Sequence, residues 1–532
     1  MEVVSIEDIG LIIGGPQGSG LETSAFVLTR AFAESGYNVI ADREYHSNIK
    51  GKHSYIHMRI SIKNRKSLMY PVDMTVAMDA ETVFTHFQDV SRGSYFVVDE
   101  NVFDKTLPKI VSMEIETKNR LSRRLKDLGI DDNSVKSVLK FLENNGVNIL
   151  SLNYTDLLKE ISRKFKLSLP VASRYLSAIA IGAVTALTGI NEEFIFNGIK
   201  HRLAGKEEII KHNMELVRIV IREIENNVGV PLKLARPSSK HKEIMVVTGN
   251  DIIAMGKVVG GLRLQTYYPI TPAADESFYL ESKEILKVND NILGGIVVFQ
   301  AEDEIAAIAS AIGGALAGAR AATATSGPGF SLMVEGLGWA GITETPVVIT
   351  YYQRGGPSTG MPTRGAQSDL LFAIFSAHGE FPKIVLASGD HLEAFYDAVD
   401  ALNFAEKYQL PVIHLIDKFL ANSTATVPLP DFSEISIDRG FLVEDSTNYK
   451  RFDKQTIISP RAFLGSNAVM WYTGSEHDEK GHTSEDPINR IEMYEKRIRK
   501  LEIADKEIPI ERRVRLYGHE GSKILLLSLI HI

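Results

Sequence analysis

Four segments of this chain carry side chains suited to chemistry. In Tyr267-Tyr268-Pro269-Ile270-Thr271-Pro272, two prolines bracket one threonine hydroxyl. Each proline fixes its own φ and pushes the residue before it out of the helical region. Ile270 and Thr271 are therefore expected to be extended, with the Thr271 hydroxyl presented at a nearly fixed position. In Gln300-Ala301-Glu302-Asp303-Glu304, three acids open a helical stretch. Acids in a first turn also serve as partners of the helix dipole, so each is at once a catalytic and a structural candidate. Thr325-Ser326-Gly327-Pro328-Gly329-Phe330-Ser331 reads as a strand running through glycines into a helix. Gln353-Arg354-Gly355-Gly356-Pro357-Ser358-Thr359-Gly360-Met361-Pro362-Thr363-Arg364 puts two arginines and several hydroxyls on a rigid Gly/Pro loop. The planar guanidinium suits bidentate carboxylate binding. The chemistry implied is recognition of an organic anion beside an acid.

The elements that must position these residues are strands. Residues 296–300, 321–325, 346–350 and 411–416 are continuous apolar or β-branched runs separated by helical stretches. That pattern predicts parallel strands covered on both faces, in βαβ order. All four chemical segments fall at the carboxyl ends of strands, where open α/β sheets bind ligands. The helix predicted over 304–319 is almost without side-chain bulk, which suits close approach to a partner chain or a cofactor.

The N-terminal part opens similarly. Leu11-Ile12-Ile13 reads as a strand, Gly14-Gly15-Pro16-Gln17-Gly18-Ser19-Gly20 as a turn, 21–35 as a helix and 38–41 as the next strand, the start of a doubly wound α/β domain. Glycines there expose amide N–H groups at a helix N-terminus, where an anion or phosphate is favoured; simple turn geometry is the alternative. Residues 108–165 are charged and helical, and 172–189 read as a small-residue helix that packs tightly. The segmentation is 1–230, a Pro/Ser-rich linker at 231–243, 244–425, an irregular connecting region at 426–520, and 521–532. Lys523-Ile524-Leu525-Leu526-Leu527-Ser528-Leu529 reads as the first strand of a further, truncated unit. Glu476, His477, Asp478, Glu479 and His482 lack metal-ligand spacing and read as a solvated or interface loop.

Composition narrows the function. A net charge of -8 argues against nucleic acid or an anionic membrane as the main partner. No apolar run of membrane-spanning length and no signal peptide is read, so the expected compartment is the cytoplasm. Cysteine is absent, which removes thiolate metal sites and cysteine-ligated clusters and suits a thermophilic source. Any redox step then needs another chain.

The proline-bracketed run, Thr-Ser-Gly-Pro-Gly and Arg-Gly-Gly-Pro-Ser-Thr-Gly-Met-Pro-Thr-Arg together resemble the α subunit of archaeal-type 2-oxoacid:ferredoxin oxidoreductases, with a γ domain fused at the N-terminus. Residues 14–24 and 474–482 extend that resemblance to the two ends. It implies a γ-type α/β domain followed by a pyrimidine-type doubly wound module of thiamine diphosphate enzymes. It implies that Glu304, with Glu302 as fallback, contacts the thiamine aminopyrimidine, with Ser326 and Gly327 nearby. Thr271, Arg354, Thr359 and Thr363 would bind the 2-oxoacid, pyruvate or 2-oxoglutarate. Gly15, Gly18, Ser19 and Gly20 would approach coenzyme A, with His46, Asn48, Lys50 and Lys52 as secondary candidates. No Gly-Asp-Gly followed by Asn-Asn is found, so the diphosphate, Mg²⁺, the [4Fe–4S] cluster and the route to ferredoxin fall to a β subunit. The rival readings are a non-oxidative thiamine diphosphate enzyme subunit and an inactive, truncated assembly protein.

Overall fold

The computed structural model describes residues 6–45, 51–237, 243–289, 291–444, 448–519 and 521–525. The chain divides into two compact units, one of residues 1–247 with 423–429, the other of 248–422 with 430–532.

In the first unit, β1 (Asp8–Pro16) is buried through Ile9, Leu11, Ile12 and Ile13 and leads through the glycine turn into α1 (Leu21–Glu34). Next come β2 (Asn38–Glu44), β3 (His53–Ser61), β4 (Val72–Ala77), β5 (Val90–Asp99) and β6 (Asn148–Leu152). The sheet runs β6-β5-β4-β1-β3-β2, continued by Thr424–Pro428 and then β7 (Ile244–Thr248). Strands β1, β4, β5 and β6 are parallel, whereas β3 lies between β1 and β2, antiparallel to both. The N-terminal sheet is therefore mixed, not the simple doubly wound start expected. The connection from β2 to β3 is too short for a crossover and permits only an antiparallel return.

Two further differences from the sequence reading concern this unit. Residues 244–248 and 424–425, expected in the second module, and 426–428, expected in the irregular region, pair into the first sheet; Thr424 and Ala425 face Ala41 and Ile40. Their run of apolar residues is too short to indicate which sheet they join. The Val39 N–H, donating to the Thr426 hydroxyl at 2.9 Å, secures the contact. The stretch Leu169–Thr188 is long and apolar enough to cross a membrane, where none was read, yet 78% of its apolar window is buried. It is a core element: its second part, Leu176–Thr188, packs with Val220 seated against Gly182, as the small-residue reading anticipated.

The second unit starts with α2 (Gly249–Val259) and β8 (Leu264–Tyr267), followed by α3 (Ala274–Glu281) and an antiparallel pair, β9 (Ile285–Val288) and β10 (Asn291–Gly295). Then come β11 (Val297–Gln300), α4 (Glu304–Leu316), β12 (Ala321–Ser326), α5 (Gly327–Ile342), β13 (Val347–Gln353), α6 (Leu370–Phe375), β14 (Ile384–Ala387), α7 (His391–Tyr408) and β15 (Pro411–Asp417). The strands form one parallel sheet in the order β11-β8-β12-β13-β15-β14. Ile308, Phe330, Leu337 and Ile349 fill one face; Ala254, Ala322, Leu402 and Val412 fill the other. From β8 the chain moves outward to β11 and then returns past β8 to β12. That reversal opens a crevice at the carboxyl ends of β8 and β12.

The irregular region beyond 430 is tied down by buried charge. Glu406 is held by Arg320 at 3.0 Å, Arg439 at 2.6 Å and Arg461 at 2.7 Å. Glu344 is held by Lys496 at 2.8 Å and Lys500 at 2.6 Å. The strand expected at 523–529 falls largely outside the described residues, and 523–525 form no regular element.

Candidate active site

The crevice is built from strand ends. After β8, the chain turns through residues 268–273, with a cis Thr271–Pro272 bond. Arg354, following β13, reaches back to this turn: its Nη1 donates to the Thr271 carbonyl at 2.5 Å. Arg354 is only 6% exposed, and its Nε has no hydrogen-bond partner. Burial pulls its guanidinium down from the ordinary arginine range. A desolvated guanidinium with an unused N–H beside a half-buried threonine is arranged to receive an anionic oxygen.

The three acids after β11 separate into three roles. Glu302 is exposed. Asp303 caps α4, accepting the Ala306 N–H at 2.7 Å. Glu304 turns inward and is 6% exposed. Burial pushes its carboxyl up from the usual range, favouring the protonated form. A methyl group added to Gly329 would run into the Thr325 hydroxyl and stand 2.5 Å from Glu304 Oε1. Glu304 therefore lies directly against loop 325–329, and only glycine leaves that approach open. Ser326 is the N-cap residue of α5, yet its buried hydroxyl makes no cap bond and has no partner.

Loop 354–364 is shaped by its own backbone. Gly355 N–H donates to the Arg364 carbonyl, Met361 N–H to the Gly355 carbonyl and Arg364 N–H to the Met361 carbonyl, at 2.8–2.9 Å. Thr363 is buried at the base of the loop, and Thr359 is exposed at its tip. Residues the sequence reading did not single out also face this edge. The Tyr351 hydroxyl and Asp369 Oδ2 lie 3.5 and 3.7 Å from where a Gly327 methyl would stand. Gln353 Oε1 accepts the Asp369 N–H at 3.1 Å. Gln353 sat within a quoted motif, but Asp369 lies outside every one and carried no signal.

The small-residue helix has a packing explanation. Leu264 seats against Gly314, and Ile308 against Gly336. The opposite side of α4 exposes Ile305, Ala309 and Gly313.

In the first unit, Gly20 caps α1 with φ 89°, where a side chain is strained, and its missing Cβ leaves room for Ser177. Gly18 also has positive φ and faces open space, whereas Gly15 packs on Met78. The Ser19 hydroxyl oxygen is buried without a partner. Gln17 N–H donates to the Lys52 carbonyl at 2.8 Å, and Lys52 pairs with Glu114 at 3.5 Å. His46, Asn48 and Lys50 lie outside the described residues.

The 476–482 loop corrects another expectation: part of it is packed rather than solvated. His477 is buried against Phe452, with ring centroids 4.1 Å apart. Glu476 pairs with Arg497 at 2.7 Å and Arg490 at 2.8 Å, and Glu479 with Lys450 at 3.0 Å. His482 is exposed and Asp478 half-buried, the two lying 3.6 Å apart. Glu476, His477 and Glu479 diverge to separate partners because the segment is a clasp for the helix Pro487–Ile498, not a convergent site.

Comparison with known proteins agrees with this anatomy. Residues 255–496 match the family described as pyruvate flavodoxin/ferredoxin oxidoreductase, thiamine diP-bdg. Residues 10–223 match the family described as pyruvate ferredoxin/flavodoxin oxidoreductase. The 2-oxoacid:ferredoxin oxidoreductase 1 subunit alpha of Aeropyrum pernix is 51% identical over 526 residues, 98% of this chain and 82% of that protein. The 2-oxoacid:ferredoxin oxidoreductase subunit alpha of Saccharolobus solfataricus is 45% identical over 98% of this chain and 82% of its own length. A solved 2-oxoglutarate:ferredoxin oxidoreductase from Magnetococcus marinus, with 2-oxoglutarate, coenzyme A and succinyl-CoA bound, aligns with a TM-score of 0.78 at 30% identity, covering 95% of this chain and 80% of its own.

Fold and site together define an oxidoreductase subunit whose second unit is a thiamine diphosphate-binding module. More narrowly, the chain belongs to the α subunits of the 2-oxoacid:ferredoxin oxidoreductases.

Proposed function

We propose that this chain, paired with a β subunit, catalyses coenzyme A-dependent oxidative decarboxylation of a 2-oxoacid. The products are acyl-CoA and CO₂, and the two electrons released reduce ferredoxin. The observation that carries the reading is the buried Arg354, held on the Thr271 carbonyl with its Nε unused, at the same sheet edge as the inward-facing Glu304. Arg354 pairs with the substrate carboxylate. The Thr271 hydroxyl, Thr363 at the loop base and Thr359 at its tip orient the carboxylate and keto oxygens.

The residues beside Glu304 fit thiamine diphosphate: Gly329 keeps the approach clear, and Ser326 keeps a buried hydroxyl unspent. When bound, thiamine diphosphate supplies the nucleophilic carbon and the electron sink that decarboxylation of a 2-oxoacid requires. Glu304 holds a proton on its carboxyl at the aminopyrimidine, its burial favouring that state. Ser326 and the Gly327 N–H, at the start of α5, face the same ligand.

The β subunit supplies the Mg²⁺ and diphosphate anchor and a [4Fe–4S] cluster, since this chain holds no cysteine. Its seat includes the bare side of α4 and the exposed Leu371 and Phe375 of α6. Coenzyme A approaches the first unit at Gly15, Gly18, Ser19 and Gly20. The enzyme works in the cytoplasm, on small molecules and ferredoxin, without a nucleic acid or membrane partner. The test is an assay of the assembled α–β enzyme. Ferredoxin reduction should require both a 2-oxoacid and coenzyme A. Decarboxylation that proceeds equally without an electron acceptor would contradict the reading.

A further inference from the structure

A buried polar cluster joins the elements that carry Thr271 and Arg354. Lys257, Gln265, Glu276, Ser277 and Tyr352 are each 0% exposed. Lys257 on α2 forms an ion pair with Glu276 Oε1 on α3. Gln265 on β8 donates to the same oxygen at 3.2 Å. Tyr352 on β13 donates its hydroxyl to Glu276 Oε2 at 2.8 Å. Lys257 also donates to Gln265 Oε1 at 3.3 Å, and Gln265 to Ser277 Oγ at 3.2 Å. Both carboxylate oxygens are thus satisfied, by three different elements besides the one that carries them.

Such a cluster is a poor way to stabilise a core. Two charges taken wholly out of water cost several kcal/mol each, and apolar replacement of buried ion pairs is often neutral or stabilising. Its placement suggests another purpose. Thr271 lies between β8 and α3: Gln265 precedes it on the strand, and Glu276 follows it on the helix. The run 268–272 is fused to α3, since Ala274 N–H donates to the Ile270 carbonyl at 3.0 Å. Helix α2 touches the same turn a second time, Asn250 Nδ2 donating to the Pro272 carbonyl at 3.1 Å. Tyr352 stands two residues before Arg354 on β13. Both partners of the Arg354–Thr271 contact therefore hang from elements that meet at the Glu276 carboxylate.

We propose that Glu276 is a positioning residue: by holding Lys257, Gln265 and Tyr352 at once, its carboxylate fixes run 268–272 against Arg354 and so sets 2-oxoacid affinity. This rests on reading Thr271 and Arg354 as the oxoacid contacts. Positioning separates from stability because replacing Lys257 and Glu276 together by apolar side chains leaves no charge buried unpaired.

The experiment is steady-state kinetics and thermal denaturation of the assembled enzyme carrying Tyr352→Phe, the double variant Lys257→Met with Glu276→Leu, or Arg354→Ala. Tyr352→Phe should raise the oxoacid KM about 5- to 10-fold, the effect of one lost hydrogen bond to a charged group. Its kcat should change less than about threefold, and its coenzyme A KM should stay unmoved. The double variant, with no charge left unpaired, should keep the wild-type Tm within a few degrees while its oxoacid KM rises at least about tenfold. Wild-type oxoacid KM in both variants, with KM raised in Arg354→Ala, would overturn the proposal and leave the site reading intact. Unchanged KM in Arg354→Ala as well would overturn the site reading itself, and this inference with it. Should the double variant not fold, Tyr352→Phe alone decides, since it removes a single hydroxyl.

Discussion

In loop 14–20, β1 passes through glycines into α1; in loop 325–329, β12 passes through glycines into α5. Each turn leaves a serine hydroxyl buried without a partner, Ser19 in one and Ser326 in the other. The backbone device is nearly the same, but the surroundings are not. Loop 325–329 has Glu304 pressed against it, in a unit whose same sheet edge carries Arg354 and Thr271. Loop 14–20 lies beside Met78, Ser177 and the Lys52 backbone. A glycine turn into a helix offers N–H groups to any anion. Chemistry is added by neighbours from other strands, and around the second loop these include Glu304. On the proposed function, bond-making falls to the second loop and holding of coenzyme A to the first.

That division can be broken in order of effect. Glu304→Ala should lower kcat by about 100-fold or more, the usual range for a lost acid–base group, with oxoacid binding retained. Glu302→Ala should be close to wild type, and reversed results would move the assignment to the exposed acid. Gly329→Ala follows. Its new methyl must displace Thr325 or Glu304, at about 1–3 kcal/mol. Isothermal titration should show thiamine diphosphate affinity falling about 10- to 100-fold. Gly20→Ala places a side chain at φ 89° against Ser177, at about 1–2 kcal/mol. It should raise the coenzyme A KM several-fold and leave the oxoacid KM alone; the opposite pattern would erase the distinction between the loops. Thr359→Ala, at an exposed loop tip, should change the oxoacid KM by no more than about twofold.

The sequence reading reached the strand ends because their apolar runs and the Gly/Pro loops beside them are local signals. Thr271 and Arg354, 83 positions apart, come within hydrogen-bond reach because strands β8 and β13 both flank β12. What local signals lacked was direction. Glu302, Asp303 and Glu304 are alike as letters; only the helix phase separates an exposed acid, a cap and a buried carboxyl. Strand membership was equally hidden, since 244–248 and 424–428 join a sheet begun hundreds of residues earlier in the chain or far from their neighbours. The Lys257–Glu276–Tyr352 cluster left no motif, because its members lie on three elements and meet only when the sheet forms. The buried half of the 476–482 loop was misread for a related reason: charged letters suggest solvent until Arg497 and Arg490 are seen to cover Glu476.

Whether Arg354 holds the substrate carboxylate is decided by the 2-oxoacid KM of the assembled enzyme carrying Arg354→Ala, read beside its coenzyme A KM. Losing a buried guanidinium that pairs with a carboxylate costs on the order of 2–5 kcal/mol. The oxoacid KM should rise by at least about 30-fold with the coenzyme A KM unchanged. An unchanged oxoacid KM would contradict that role.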